Sequence, residues 1–256
     1  SYMGTYDAGW HAIRAARQRR AATLGVIPPD VEMVGMPTTG DWQALDADQQ
    51  RYEAKRMAVY AGMVEAMDHH IGRLVSYLKS QAQLDNTIFI FTSDNGPWLS
   101  YGGHAGKTGI YREGKGTTWE GGQRVPCIVW YPKEIENKSI IDTPLMGIDW
   151  MPTIARLTKS ELSSNKIDGK DIWDVLTSKV IESPHEALFF YYAGNQLQSV
   201  RHKDWKMYFP HKYRTLNGRK GRNDGIPIKY ESQELNSTEL YNLKIDPSET
   251  KNVFSK

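Results

Sequence analysis

The stretch from residue 87 to residue 127 constrains the fold more than any other part of the chain, because it joins an apolar strand to two turn-rich motifs. Residues 87–92 (TIFIFT) are apolar and β-branched, and the run stops abruptly at residues 93–97 (SDNGP). A short apolar run bounded by turn residues is typical of a buried strand in a parallel sheet. Open α/β sheets bind ligands at the carboxyl ends of their strands, so the turn that follows is a candidate site.

The turn and the glycine-rich segment that follows it contain candidate residues for binding a metal ion and an anionic ligand. Asp94 and Asn95 offer side-chain oxygens, the hard ligands that Ca²⁺ and Mg²⁺ prefer. Further on, residues 114–122 (GKGTTWEGG) place Lys115 among glycines, which let a backbone approach a ligand closely. A divalent ion acts as a Lewis acid and template, and a lysine ammonium neutralises an anionic oxygen. His104, flanked by glycine in the intervening loop, is a candidate substrate contact, and Arg112 is a second one.

In this order and spacing, residues 93–96 (SDNG), 114–122 (GKGTTWEGG) and 124–126 (RVP) resemble the type I, formylglycine-dependent sulfatases, and arylsulfatases in particular. Each motif alone is a common turn or loop, whereas the ordered pair after a strand is specific. The resemblance implies an alkaline-phosphatase-like fold, a Ca²⁺ site that includes Asp94 and Asn95, and a sulfate-binding lysine at Lys115. The implied reaction is Ca²⁺-assisted hydrolysis of a sulfate ester.

The resemblance covers nearly the whole chain but only the second half of a sulfatase. The family makes its formylglycine nucleophile from a cysteine in a Cys-x-Pro-x-Arg context, which the single cysteine, Cys127, does not match. We therefore expect the formylglycine in a missing N-terminal half, expect this chain alone to be inactive, and expect Cys127 to be a buried core residue. Half a sheet exposes apolar edges, so we also expect the chain to associate with itself or with the missing half.

Two helices are predicted in the first third of the chain. Residues 10–24 are a basic helix, and residues 52–81 repeat apolar side chains at three- and four-residue steps, with Asp46 or Asp48 as the cap. Residues 68–70 (DHH) on the second helix are predicted to be an exposed polar patch rather than a metal site, because adjacent helical side chains diverge.

The remainder predicts a strand, short helices and a second, smaller sheet. Residues 125–131 form an apolar strand, Asp149 is expected to cap a helix near Pro152 rather than bind a metal, and residues 173–176 form a short helix. From residue 187 onward, short aromatic-rich runs separated by turns predict an antiparallel sheet.

These elements predict an α/β fold in two parts. Residues 1–155 are interpreted as the C-terminal part of a sulfatase catalytic domain, a partial mixed or parallel sheet flanked by helices. Residues 156–256 are interpreted as a small C-terminal antiparallel-sheet subdomain.

Composition and charge narrow the class of partner. The chain has 256 residues, a net charge of +2 and 39% hydrophobic residues, so its composition favours neither a nucleic-acid nor a membrane partner. We expect a sulfated small molecule or glycan as substrate, and by analogy with the family a periplasmic or secreted location. Two alternatives stay open: a phosphatase or phosphonate-ester hydrolase of the alkaline phosphatase superfamily, and a non-catalytic sulfatase-like binding module. Residues 114–122 favour sulfate.

Overall fold

The computed structural model describes residues 2–25, 27, 29–30, 41–222 and 225–254. The chain divides into two compact units, Ser1–Asp85 and Asn86–Lys256. No helix in the described ranges is long and apolar enough to cross a membrane. The predicted division into domains 1–155 and 156–256 stays a prediction.

The first unit contains the two predicted helices, α1 (Gly9–Thr23) and α2 (Ala47–Ser80). Asp46 caps α2 through a capping box: its carboxylate accepts from Gln49 N at 2.8 Å, and the Gln49 side chain accepts from Asp46 N at 3.1 Å. With 34 residues, α2 is about 51 Å long at ~1.5 Å per residue. Both helix predictions and the Asp46 cap are confirmed.

A small aromatic cluster forms the core of this unit, with Tyr6, Trp42, Ala54 and Ala58 buried in it. The predicted polar patch at residues 68–70 is exposed, and no group of three or more metal-ligating side chains occurs in the described parts of the chain. The predicted exposure of residues 68–70 is therefore confirmed.

In its described residues, the second unit contains eight strands and three short α-helices. The helices are α3 (Glu120–Gln123), α4 (Trp150–Thr158) and α5 (Trp173–Leu176). The strands are β1 (Phe89–Thr92), β2 (Cys127–Trp130), β3 (Leu188–Tyr192), β4 (Gln196–His202), β5 (Trp205–Tyr208), β6 (His211–Thr215), β7 (Glu231–Leu235) and β8 (Glu239–Asn242). The predicted short helix at residues 173–176 is confirmed.

The strand before the first motif is the main departure from expectation. β1 pairs antiparallel with β2, from Phe89 opposite Trp130 to Thr92 opposite Cys127, and no described strand pairs with it in parallel. Phe91 is 55% exposed and Ile128 62% exposed, so the expected burial is also wrong. Two strands cannot bury both faces of a sheet, however apolar their side chains are.

The predicted C-terminal antiparallel sheet is confirmed. Its strands lie in the order β3-β4-β5-β8, all antiparallel, and β6 and β7 form a second antiparallel pair. Trp119 of the second motif is fully buried against this part of the chain, stacked on Tyr208 with ring centroids 4.0 Å apart. The motif therefore supplies the centre of the core that the C-terminal strands build around it.

Two residue-level expectations are wrong. Cys127 is exposed, because it begins β2, most of whose side chains are exposed on the two-stranded ribbon. Asp149 precedes α4 but does not cap it, since its backbone is already helical (φ −75°, ψ −18°) and a capping residue needs an extended backbone. Its buried carboxylate instead accepts from Met146 N at 2.8 Å and Lys170 N at 2.9 Å, and contacts His185 Nε2 at 2.7 Å.

Candidate functional site

The turn after β1 presents the two predicted metal ligands differently. The Asp94 side chain is exposed, whereas Asn95 is half-buried. Asn95 Oδ1 is buried and accepts no hydrogen bond from any described residue. A buried amide oxygen without a protein donor is costly unless another group satisfies it. This oxygen therefore fits the role of a cation ligand.

Backbone hydrogen bonds hold this turn against the second motif. Gly96 N donates to Gly122 O at 3.0 Å, and Lys115 N donates to Pro97 O at 2.9 Å. A Cβ at position 96 would lie 1.8 Å from Gly121 O, so only glycine allows this approach. Motifs that are separate in the sequence therefore form one structure.

Lys115 is half-buried at the edge of this structure. Its ammonium lies 5.5 Å from the centroid of the Trp98 ring, and Trp98 itself is exposed. Lys115 and Trp98 are thus neighbours. The Lys115 ammonium therefore lies near the residue that follows the turn at residues 93–97.

Two clefts border the turn. A cleft of about 560 Å³ is lined by Asn95, Lys107 and Tyr111 among others, and a larger one of about 1070 Å³ is lined by Asp94 and Glu120 among others. Arg124 lines both clefts. The two predicted ligands therefore adjoin different clefts, and either cleft is large enough for a small organic group.

His104 ends a short 3₁₀ helix, Leu99–His104, and is exposed. It lines neither cleft, although its neighbour Ala105 lines the smaller one. Its role as a substrate contact stays a prediction. Arg112, the second candidate, is held within the protein: its guanidinium lies 3.7 Å from the Trp119 ring centroid and donates to Glu249 O at 3.0 Å and Tyr213 Oη at 3.1 Å. Its role as a substrate contact also stays a prediction.

The donors in this chain fit Ca²⁺ in kind but not in number. A carboxylate and an amide oxygen are hard ligands, and the buried Asn95 oxygen is unsatisfied among the described residues. Ca²⁺ takes about six to eight oxygens, so further ligands must come from elsewhere. Asp94, Asn95 and Lys115 as site residues stay predictions.

An ionic cluster beneath the second motif was not predicted from the sequence. Lys206 is fully buried, and its ammonium donates to Glu120 Oε1 at 2.8 Å and Thr118 O at 2.7 Å. Glu249 accepts from Glu120 N at 2.9 Å. Burial alone would raise the pKa of Glu120, but Lys206 attracts its charged form and holds the pKa below the ordinary value. Residues from β5 and the C-terminal turn thus stabilise the loop that carries Lys115.

Comparison with known proteins identifies two family models that match this chain. The sulfatase family model matches residues 15–160, more than half of the chain, and a model described as the C-terminal region of aryl-sulfatase matches residues 183–256. Mouse steryl-sulfatase is 36% identical over 160 residues, which cover 59% of this chain and 26% of that protein.

Solved structures give the same result. PsFucS1 sulfatase from Pseudoalteromonas sp. aligns with 95% of this chain and 48% of its own, at 25% identity and a TM-score of 0.60. BT4656, solved with its substrate D-glucosamine-2-N,6-O-disulfate, aligns with 81% of this chain and 37% of its own, at 29% identity and a TM-score of 0.51. The chain thus spans less than half of these proteins and about a quarter of the mouse relative. The predicted fold class is confirmed, and the chain belongs to the sulfatase family.

Proposed function

We propose that the full-length protein is an arylsulfatase-like sulfuric ester hydrolase, and that this chain contributes the Asp94–Asn95 turn and Lys115 to its active site. The observation that carries the proposal is the pair of backbone hydrogen bonds, Lys115 N to Pro97 O and Gly96 N to Gly122 O, which join the two motifs. They connect the loop that carries Lys115 with the turn that carries Asp94 and Asn95, in a chain of the sulfatase family, which supports the proposal.

A sulfate ester places a negative charge on the oxygens around a tetrahedral sulfur. The Lys115 ammonium binds one of these oxygens and stabilises the charge that develops there as the ester bond breaks. Asp94 and Asn95 would hold Ca²⁺, which when bound would supply positive charge to the sulfate group. The formylglycine nucleophile comes from another part of the protein, so this chain alone is expected to be inactive.

The substrate is proposed to be a sulfated small molecule or glycan. The relatives support both, since one is a steryl-sulfatase and another was solved with a sulfated glucosamine. The smaller cleft beside Asn95 also carries cationic side chains, Lys107 and Arg124, which suit an anionic substrate. A location outside the cytoplasm stays an expectation from the family.

Hydrolysis assays on the full-length protein with Ca²⁺ test the proposal. We expect cleavage of an aryl sulfate in preference to the matching aryl phosphate. Lys115→Ala should lower kcat/KM for the sulfate by about a hundredfold or more, the usual loss for a group that stabilises developing charge. Lys212→Ala, an exposed lysine paired at 3.7 Å with Glu234, is the matched control and should leave kcat/KM unchanged.

A second measurement separates metal binding from turnover. Asp94→Asn should weaken Ca²⁺ binding, seen as a smaller Ca²⁺-dependent rise in Tm.

In the hydrolysis assay, preference for the phosphate ester would favour the phosphatase alternative. Binding of sulfated glycans without any cleavage would favour the non-catalytic module. Equal activity of the wild type and Lys115→Ala would refute the role given to Lys115.

A further inference from the structure

We propose that Arg214 is a positioning residue for Lys115: its guanidinium holds the main-chain carbonyl of Lys115 and thereby determines where the ammonium lies. The proposal rests on the sulfate-binding role given to Lys115 above. Arg214 lies on β6, 99 residues after Lys115, in the segment that matches the C-terminal region of aryl-sulfatases. The C-terminal region would then act on sulfate binding without contacting the sulfate.

Two donors of one guanidinium converge on the Lys115 carbonyl. Arg214 Nε donates to Lys115 O at 2.9 Å, and Arg214 Nη2 donates to the same oxygen. A planar two-donor fork defines the direction of an acceptor more closely than a single ammonium can. The guanidinium is itself held, since its central carbon lies 4.6 Å from the centroid of the Tyr230 ring.

The glycine after Lys115 leaves the space that the guanidinium occupies. Gly116 has φ +86°, and a Cβ at this position would lie 2.3 Å from Arg214 Cζ. From the sequence, the glycines around Lys115 were interpreted as allowing a backbone to approach a ligand. At Gly116, the group that approaches the backbone is a side chain of β6.

Neighbours of Arg214 on β6 bind the same loop. Tyr213 Oη accepts from Arg112 Nη2 at 3.1 Å, and Thr215 Oγ1 donates to Glu113 Oε1 at 2.7 Å. Three consecutive residues of β6 therefore hold residues 112, 113 and 115. The amide of Lys115 is held from the other side by Pro97 O at 2.9 Å. Because hydrogen bonds hold both the amide and the carbonyl of Lys115, only its side-chain torsions remain to be set.

A double-mutant cycle on the full-length Ca²⁺-bound protein tests this, with inorganic sulfate as the probe and calorimetry as the measurement. Arg214→Met should weaken sulfate binding about tenfold, as expected for losing the two-donor fork that orients Lys115. In a Lys115→Ala background the same substitution should change the affinity by less than about twofold, because nothing remains to be positioned.

Three further variants sharpen the test. Arg214→Lys keeps the charge without the fork and should stay at least about threefold weaker than the wild type. Gly116→Ala, which displaces the guanidinium, should weaken sulfate binding like Arg214→Met and should not add to it. Lys212→Met, on the same strand but exposed and paired only at 3.7 Å with Glu234, is the control and should bind sulfate normally.

The outcomes separate this inference from the proposed function. An equal effect of Arg214→Met with and without Lys115, or no effect at all, overturns the positioning role while Lys115 keeps its own. Wild-type affinity in Lys115→Ala overturns both. If Arg214→Met does not fold, Gly116→Ala and Arg214→Lys still decide. A second readout is acylation of Lys115 followed by mass spectrometry, whose rate should change in Arg214→Met and not in Lys212→Met.

Discussion

Replacing Lys206 by methionine removes the cation that two buried carboxylates share. The ammonium lies 2.8 Å from Glu120 Oε1 and 3.9 Å from Glu249 Oε1, and none of these three side chains is more than 4% exposed. Methionine keeps most of the apolar stem, so the perturbation is chiefly the loss of a charge and its hydrogen bonds. Glu120 would then keep only Arg201 at 3.3 Å and a distant Arg124 at 4.0 Å.

The expected loss is large because the group left behind is buried. Coulomb's law gives about 6 kcal/mol for unit charges 2.8 Å apart at an effective dielectric constant of about 20. Arg201 compensates part of this loss, and removing one partner of a buried ion pair typically costs about 3–5 kcal/mol. We therefore expect Lys206→Met to lower the free energy of unfolding by about 3–5 kcal/mol.

The loss of stability in Lys206→Met should be larger at alkaline than at acid pH. In the native protein the pKa of Glu120 is lowered, so its pairing stabilises the fold above the ordinary carboxyl pKa of about 4.5 and is lost as pH falls through the lowered value. Without Lys206, burial raises the pKa of Glu120. At acid pH the carboxyl is then protonated, and burying the neutral form costs less free energy. The difference between wild type and Lys206→Met should therefore be greater at about pH 8 than at about pH 5.

Urea unfolding followed by tryptophan fluorescence measures this, since Trp119 is fully buried beside the cluster. The control Lys212→Met loses only an exposed pair and should cost less than about 0.5 kcal/mol. Adding Glu120→Gln to Lys206→Met removes the stranded charge and should recover part of the stability. A loss below about 1 kcal/mol, or an equal loss at both pH values, would refute the reasoning.

Further expectations concern a glycine contact, a histidine and the cysteine. Gly96→Ala places a Cβ 1.8 Å from Gly121 O and should destabilise the protein by about 1–3 kcal/mol or more. The control Gly72→Ala in α2 places a Cβ with no atom within 4 Å and should stabilise the protein by about 0.5–1 kcal/mol. Urea unfolding measures both. Burial lowers the pKa of His211, so native stability should fall as pH drops below about 6.5, and His211→Phe should lack that loss. Cys127 is exposed but burial of part of its side chain raises its thiol pKa, so maleimide should label the native protein more slowly than a small free thiol at about pH 8.

Local patterns in the sequence predicted the elements that depend on neighbouring residues. The apolar repeat of α2, the Asp46 cap, the short helix α5 and the alternating aromatic runs of the C-terminal sheet all reflect interactions within a few residues. The ordered motifs around Asp94 and Lys115 sufficed to identify the sulfatase family.

Burial was predicted less well, because it depends on what covers a surface. β1 and β2 are as apolar as buried strands, yet Phe91, Ile128 and Cys127 are exposed on a two-stranded ribbon. Asp149 has the sequence context of a helix cap, but its backbone conformation directs the carboxylate to other partners.

The sequence by itself determined the family, the two long helices, the antiparallel C-terminal sheet and the residues proposed to meet the substrate. Only the tertiary structure decided which side chains support them, such as Lys206 beneath Glu120, 86 residues away, and Arg214 on the carbonyl of Lys115. Helical and strand periodicities contain no information on such distant pairs. The packing of the C-terminal strands sets them, because it decides which side chains of β5 and β6 reach the loop that carries Glu120 and Lys115.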